Sequence, residues 1–135
     1  MTLRLRLSTA AAAVSLAAFG VVGVSASPAS ADPATCFGYT GEFNETGARF
    51  VDWIYGPDEC FGVAPSGSIW HTWAGAGGWK EMPGNGHAYA IFDAFENSAG
   101  KSIKVITAND TFYCSYLDYA TNTWGAWYRT YTDHC

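Results

Sequence analysis

Positive charge is scarce in this chain. Seven Lys and Arg stand against twelve Asp and Glu, and charged residues of all kinds make up 14% of the 135 residues. That shortage excludes a class of partners, because nucleic acid and anionic membrane surfaces are bound through a basic footprint. Two of the seven, Arg4 and Arg6, head a segment built like a secretory signal. An apolar run follows over Ala10–Val24, and Ala29-Ser30-Ala31 offers a small-residue cleavage site before Asp32. Removal of Met1–Ala31 leaves five cations, Arg49, Lys80, Lys101, Lys104 and Arg129, against all twelve carboxylates, a net charge of about −7. We read this acidity as a solubility feature.

Other absences narrow the chemistry. There is no C-x-x-C, which removes the usual signature of zinc or thioredoxin-type sites. There is no G-x-S-x-G for a nucleophile elbow. The Gly-rich run Ala74–Gly78 lacks a following Lys-Ser/Thr and a helix to donate amides, so it is a hairpin connection and not a phosphate loop. Only three histidines occur, His71, His87 and His134, with no short ligand spacing among them. No cofactor or metal is implied. The leader has no Cys at its cleavage site and no stop-transfer pattern, so neither a lipid nor a membrane anchor is expected.

What is present in quantity is aromatic. All six Trp, all eight Tyr and seven of the eight Phe lie after Ala31. A single small domain, Asp32–Cys135, has too little interior for that many rings, so several must reach the surface, and exposed aromatics mark binding surfaces. The four cysteines, Cys36, Cys60, Cys114 and Cys135, also lie there, and export with an even count implies two disulfides. Of three pairings we favour Cys36–Cys60 and Cys114–Cys135, each tying a terminal segment to the nearest repeat unit and each worth roughly 3 kcal/mol.

The repeat is the main organising feature. Ser66–Trp73 (S-G-S-I-W-H-T-W) returns 43 residues later as Asn109–Tyr116 (N-D-T-F-Y-C-S-Y), and Trp79 returns as Trp124. Each unit reads as strand, turn, strand, and a period of roughly 40–45 residues is the size of one propeller blade. Strands are expected over Thr35–Tyr39, Ala48–Tyr55, Cys60–Ala64, Ile69–Trp73, a return through Trp79, His87–Phe95, Ser102–Thr107, Phe112–Tyr116 and Trp124–Tyr131. Gly41–Gly47, Gly56–Glu59, Pro83–Gly86, Glu96–Lys101 and Asp118–Thr123 read as loops or turns. No amphipathic helix is indicated. The expected fold is all-β, with two antiparallel sheets packed together and stapled by disulfides. In Ala48–Tyr55, Phe50, Asp52 and Ile54 share the face less easily buried.

The units resemble the blades of bacterial seven-bladed β-propeller lectins, which carry an aliphatic-Trp/Tyr-His-x-Trp hairpin, a Gly-rich turn and a G-G-W-x-x-W/M strand. Gly67, Ile69, Trp70, His71, Trp73, Gly78 and Trp79 fit the first unit; Asp110, Phe112, Tyr113, Tyr116, Trp124 and Trp127 fit the second. The likeness covers about two blades, Cys60–Tyr131, and the second unit has Cys114 where the motif has His. Two blades do not close a ring, so the disulfides would stand in for closure, or oligomerisation would complete it. The resemblance implies carbohydrate binding at the junction between units.

The leading expectation is therefore a secreted binding protein and not an enzyme. Trp70, Trp73 and Trp79 would form an aromatic platform, with Tyr116, Trp124 and Trp127 from the second unit. His71, Glu81 and Asn85 would supply hydrogen bonds. Alternation places Trp70 and Thr72 on one face of their strand, and Ile69, His71 and Trp73 on the other. The alternative is a secreted protein-binding module, either an inhibitor of a hydrolase or an adaptor in an extracellular assembly: Cys60–Pro65 and Trp127-Tyr128-Arg129 resemble elements of small two-disulfide α-amylase inhibitors. A hydrolase would need a carboxylate or His pair converging in a cleft. No spacing among Asp52, Glu81, Asp93, Glu96 and Asp118 singles out such a pair, and Asp58-Glu59 reads as turn chemistry. Asn44-Glu45-Thr46 and Asn109-Asp110-Thr111 match the glycosylation sequon.

Overall fold

The fold was analysed in a computed structural model, which describes residues 30–135. All but the last two residues of the expected leader lie outside them. Among the described residues the chain forms eleven strands and no helix. β1 (Asp32–Cys36) and β2 (Tyr39–Phe43) form a hairpin. β3 (Ala48–Val51), β4 (Glu59–Val63), β5 (Ile69–Trp73) and β6 (Lys80–Glu81) form a four-stranded antiparallel meander. β7 (Ala90–Asn97), β8 (Gly100–Ile106), β9 (Phe112–Asp118) and β10 (Thr123–Trp124) form a second, and β11 (Tyr128–Thr130) joins the same edge of β9 further along. The fold is all-β, with antiparallel sheets sharing one core and two disulfides, Cys36–Cys60 and Cys114–Cys135. That pairing is the one the sequence favoured.

Equivalent residues of the two units occupy equivalent strands. β4 and β8, and β5 and β9, correspond at an offset of 43, and the turns between them are built alike. Gly67 N donates to Ala64 O (2.8 Å) and Ala64 N to Ser68 O (2.9 Å); Asp110 N donates to Thr107 O (3.1 Å) and Thr107 N to Thr111 O (2.9 Å). Each turn needs one left-handed residue, Gly67 (φ 90°) or Asp110 (φ 56°), a conformation open to Gly and tolerated by Asp. On the next strands, Thr72 Oγ1 donates to Gly78 O and Ser115 Oγ to Gly125 O, both at 2.9 Å.

The two sheets stack in the same sense, front to back. Ile69, His71 and Trp73 share a face with Glu59, Phe61 and Val63, and this face meets the second sheet. Their counterparts on β9, Phe112, Cys114 and Tyr116, point the other way, and Tyr113 packs on the core instead. Such a stack leaves two sheet faces open, and the two ends of the described chain cover them. The β1–β2 hairpin lies on the outer face of the first sheet, where the Phe43 ring sits against Gly62 and edge-on to Trp79 (4.5 Å between centres). The C-terminal segment lies on the second: the buried Lys104 ammonium donates to the carbonyls of Thr132 (2.7 Å) and Asp133 (3.1 Å), over the Phe92 and Phe112 rings.

Several boundaries differ from the expectations. Thr35–Tyr39 is not one strand: the chain reverses at Phe37–Gly38, both at positive φ, and β2 runs into the segment read as a loop. β3 stops at Val51, so Trp53 lies beyond the strand, although the face of Phe50, Asp52 and Ile54 is exposed as expected. Glu59 belongs to β4 and Lys101 to β8, not to turns; the reversal before β8 is tight, closed by Asn97 Oδ1 accepting from Ala99 N (2.8 Å) and Gly100 N (3.1 Å). The expected strand from His87 begins at Ala90 and carries an irregularity between Ile91 and Asp93. Trp124–Tyr131 is broken into β10 and β11, so the second sheet has five strands where the first has four.

Candidate functional site

Polar side chains enter the inter-sheet core at one end. Strand alternation places Glu59 on the same face as Phe61 and Val63, and it is only 4% exposed; His71 (6%) and Lys101 (3%) are buried beside it. Isolated buried charges are costly unless paired and hydrogen-bonded, and here the compensation is dense. The Glu59 carboxylate accepts from Lys101 Nζ, from Trp53 Nε1 (2.9 Å) and from His71 Nδ1 (3.1 Å). The Lys101 ammonium also lies over the Trp53 ring at 5.1 Å and the Trp124 ring at 5.8 Å.

This arrangement orients the histidine ring. An ionised carboxylate only accepts, so Nδ1 is the donor in this contact and Nε2 is the ring nitrogen turned away from it. Nε2 makes no hydrogen bond among the described residues. The ring is held by stacking on Phe61 (5.9 Å), by Trp73 (5.0 Å) and by the edge of Trp124 (6.2 Å). A cavity of about 160 Å³ opens here, walled by Trp73 and Trp124, with His71, Glu59 and Lys101 inside and exposed Asn122 at its rim.

Glu96 clamps the adjoining loop. It accepts from Ile54 N (2.6 Å), from Tyr55 N (2.9 Å) and from the Tyr119 hydroxyl. Burial alone would raise the Glu96 carboxyl. The Tyr119 hydroxyl, the two amides and the Lys101 charge outweigh it and hold the group below the usual carboxylate range. Tyr119 is pushed well above the ordinary phenol value, first by burial and then by the bond to, and charge of, Glu96.

The nine residues expected to bind ligand fall in four places. His71, Trp73 and Trp124 meet in the cavity just described. Trp70 and Trp79 line a separate cavity of about 260 Å³ on the outer face of the first sheet, with Glu42, Ser66 and Ser68. Their indole N–H groups are satisfied by Ser68 Oγ and Tyr39 O, both at 3.0 Å, and exposed Glu81 stands opposite Trp70 on that face. Asn85 and Trp127 line a third cavity between the sheets. Tyr116 lies on the outer face of the second sheet, beside His134 and Cys135. A platform of Trp70, Trp73 and Trp79 therefore does not form, because alternation along β5 sends Trp73 through to the opposite face.

Glu59, Lys101 and Trp53 were not singled out in the sequence. Alternation carried a signal: Glu59 precedes Phe61 and Val63, and Lys101 precedes Ile103 and Val105, each at a spacing of two. A Pro-Asp-Glu turn reading masked the first and an Asn-Ser-Ala-Gly turn reading the second. No family model matches the chain, and no curated protein or solved structure is found similar to it.

Proposed function

We propose that this is a secreted carbohydrate-binding protein of lectin type, with its sugar site at the junction of the two repeat sheets. One observation carries the reading: His71, held through Nδ1 by Glu59, lines a cavity walled by Trp73 and Trp124. Indole faces pack on the C–H side of a sugar ring, and an imidazole held in one orientation selects a hydroxyl. The two disulfides suit an oxidising, extracellular setting. The likeness to propeller-lectin blades points the same way, since their sugars are held between neighbouring blades.

Binding is favoured over hydrolysis by the carboxylate count. Two-carboxylate glycoside cleavage needs a pair separated by about 5–10 Å across the bond. Among the described residues Glu59 is the one carboxylate lining this cavity, and its oxygens are occupied by three donors.

The test is glycan-array binding with tryptophan fluorescence on the oxidised protein. Saturable binding of one sugar class is expected, with a fluorescence change that Trp73→Ala and Trp124→Ala abolish and Trp79→Ala leaves intact. Loss with Trp79→Ala alone would move the site to the outer face of the first sheet. A flat array from folded protein would overturn the sugar reading. The second reading, an extracellular protein partner such as a hydrolase bound in the manner of an α-amylase inhibitor, has one feature in its favour. Arg129 lies over the ring of Tyr131 (4.8 Å), which is 82% exposed, next to exposed Tyr128. Inhibition of α-amylase that Arg129→Ala removes would support it.

A further inference from the structure

The N-terminal hairpin does not close over the whole outer face of the first sheet. Beside the seat of Phe43 it leaves an open cavity of about 260 Å³, lined by Trp70 of β5, Trp79 just before β6 and Glu42 of the hairpin. All three are accessible: both indoles are part-exposed and Glu42 is exposed. Neither ring offers a ligand its polar edge, because Trp70 Nε1 donates to Ser68 Oγ and Trp79 Nε1 to Tyr39 O. The Ser66 and Ser68 hydroxyls bond each other at 2.8 Å. What the walls present is therefore π surface and a carboxylate, and exposed Glu81 adds a second carboxylate opposite Trp70. Among the described residues neither Glu42 nor Glu81 enters an ion pair. The Lys and Arg side chains are placed elsewhere. Arg49 meets Asp93, Lys101 meets Glu59, Lys104 holds the C-terminal carbonyls and Arg129 lies over Tyr131. Lys80 pairs in register with His71, which puts it on the other face of the sheet.

We propose that this cavity binds a quaternary alkylammonium group, the trimethylammonium head of a choline-type ligand. Indole faces attract a cation through the ring quadrupole, and the attraction grows as water is displaced. Glu42 and Glu81 supply the opposite charge. The engaged hydroxyls and indole N–H groups decide which cation. A primary ammonium brings three N–H donors that each need an acceptor, whereas a trimethylated one brings none and presents methyl groups to the rings. Size agrees, since a cavity of about 260 Å³ falls below the roughly 300–1,000 Å³ of sites for larger ligands. The hairpin supplies Glu42, and the Cys36–Cys60 disulfide ties that hairpin to the sheet, so both halves of the site are fixed before a ligand arrives. This site does not rest on the reading of the Trp73–Trp124 cavity.

The experiment titrates the oxidised protein with choline chloride and tetramethylammonium chloride, followed by calorimetry and tryptophan fluorescence at constant ionic strength. The comparators are sodium chloride, ammonium chloride and 3,3-dimethyl-1-butanol, the neutral carbon analogue of choline. Saturable binding of both quaternary cations is expected, with the neutral analogue at least about tenfold weaker. Trp70→Ala and Trp79→Ala should each weaken choline binding about fivefold or more, the scale of one cation–π contact. Glu42→Gln, an exposed change that keeps the side chain's shape, should weaken it and flatten its salt dependence. Trp73→Ala should leave it unchanged, even if that variant loses the site of the previous section. Co-sedimentation with phosphatidylcholine vesicles, reversed by free choline, would make the source a lipid headgroup; choline binding without it would make the source a free solute. Absence of saturable binding by both quaternary cations overturns the proposal. So does a neutral analogue that binds as tightly as choline, or full affinity in Glu42→Gln. The wild-type titrations and Glu42→Gln decide the matter if a tryptophan variant fails to fold.

Discussion

His71 and Cys114 hold the same position in the two repeats, 43 residues apart, and face opposite ways relative to the core. His71 points into the space between the sheets and bonds Glu59. Cys114 points away from it and anchors the C-terminal segment through Cys135. Front-to-back stacking accounts for both. Equivalent side chains keep the same direction, so the face that is interior in the first sheet is terminal in the second. The histidine thus has a neighbour to bond with, and the cysteine has an open face to close.

The buried Glu59–Lys101 pair should be costly to break from one side. Lys101→Met leaves the carboxylate with two N–H donors, from Trp53 and His71, and without the ammonium. Loss of one partner from a buried ion pair costs about 3–5 kcal/mol. Urea denaturation should show a loss of that size, and Lys101→Met combined with Glu59→Gln should recover a substantial part of it. A loss below about 1 kcal/mol in the single variant would mean the charges are solvated and not paired.

The Glu96–Tyr119 contact predicts a pH window. The Glu96 carboxyl is held below its ordinary value of 4.5. Its contribution is therefore present above that value and lost as pH falls through the lowered value in the folded protein. Tyr119 is raised above its ordinary 10.0. Its contribution is present below pH 10 and lost as pH rises beyond it, toward the raised value. Thermal melts across pH should show Glu96→Gln removing the acid-side slope and Tyr119→Phe removing the alkaline one. Unchanged slopes in both would count against the clamp.

Release of the C-terminal segment should expose a face built to be covered. In Cys114→Ser/Cys135→Ser the loss of the disulfide costs about 3 kcal/mol, and the ring surfaces of Phe95, Phe112 and Tyr116 open to solvent. A front-to-back contact is heterologous and does not close on itself. Sedimentation velocity should then show concentration-dependent species larger than a dimer, absent from the oxidised wild type. A strictly monomeric variant would show that the segment does not act as a cap.

Gly62 is the seat of the N-terminal hairpin. A Cβ there would fall inside van der Waals distance of the Phe43 ring, on a fully buried strand. Gly62→Ala should cost about 1–3 kcal/mol as an overpacked contact. Because Phe43 also packs on Trp79, the near-ultraviolet circular dichroism should weaken while the far-ultraviolet spectrum holds. Full native stability in this variant would place the hairpin further from the sheet than described.

Much of the architecture follows from local rules. Alternation along Ile69–Trp73, the Gly67 and Asp110 turns and the spacing of 43 each express a preference of a few adjacent residues, and they are legible in order along the chain. The cysteine pairing is legible for a related reason, since each disulfide closes on its nearest unit. The meaning of Glu59, Lys101 and Trp53 depends instead on how one sheet lies on the other. Glu59 and Lys101 are 42 residues apart and belong to different sheets. No local pattern says that an ammonium will meet a carboxylate in the core, because the energy that holds them there arises only after both have left water. The direction of stacking, which decides that Trp73 faces a cavity while Tyr116 faces the C-terminal segment, is likewise a property of the assembled pair of sheets.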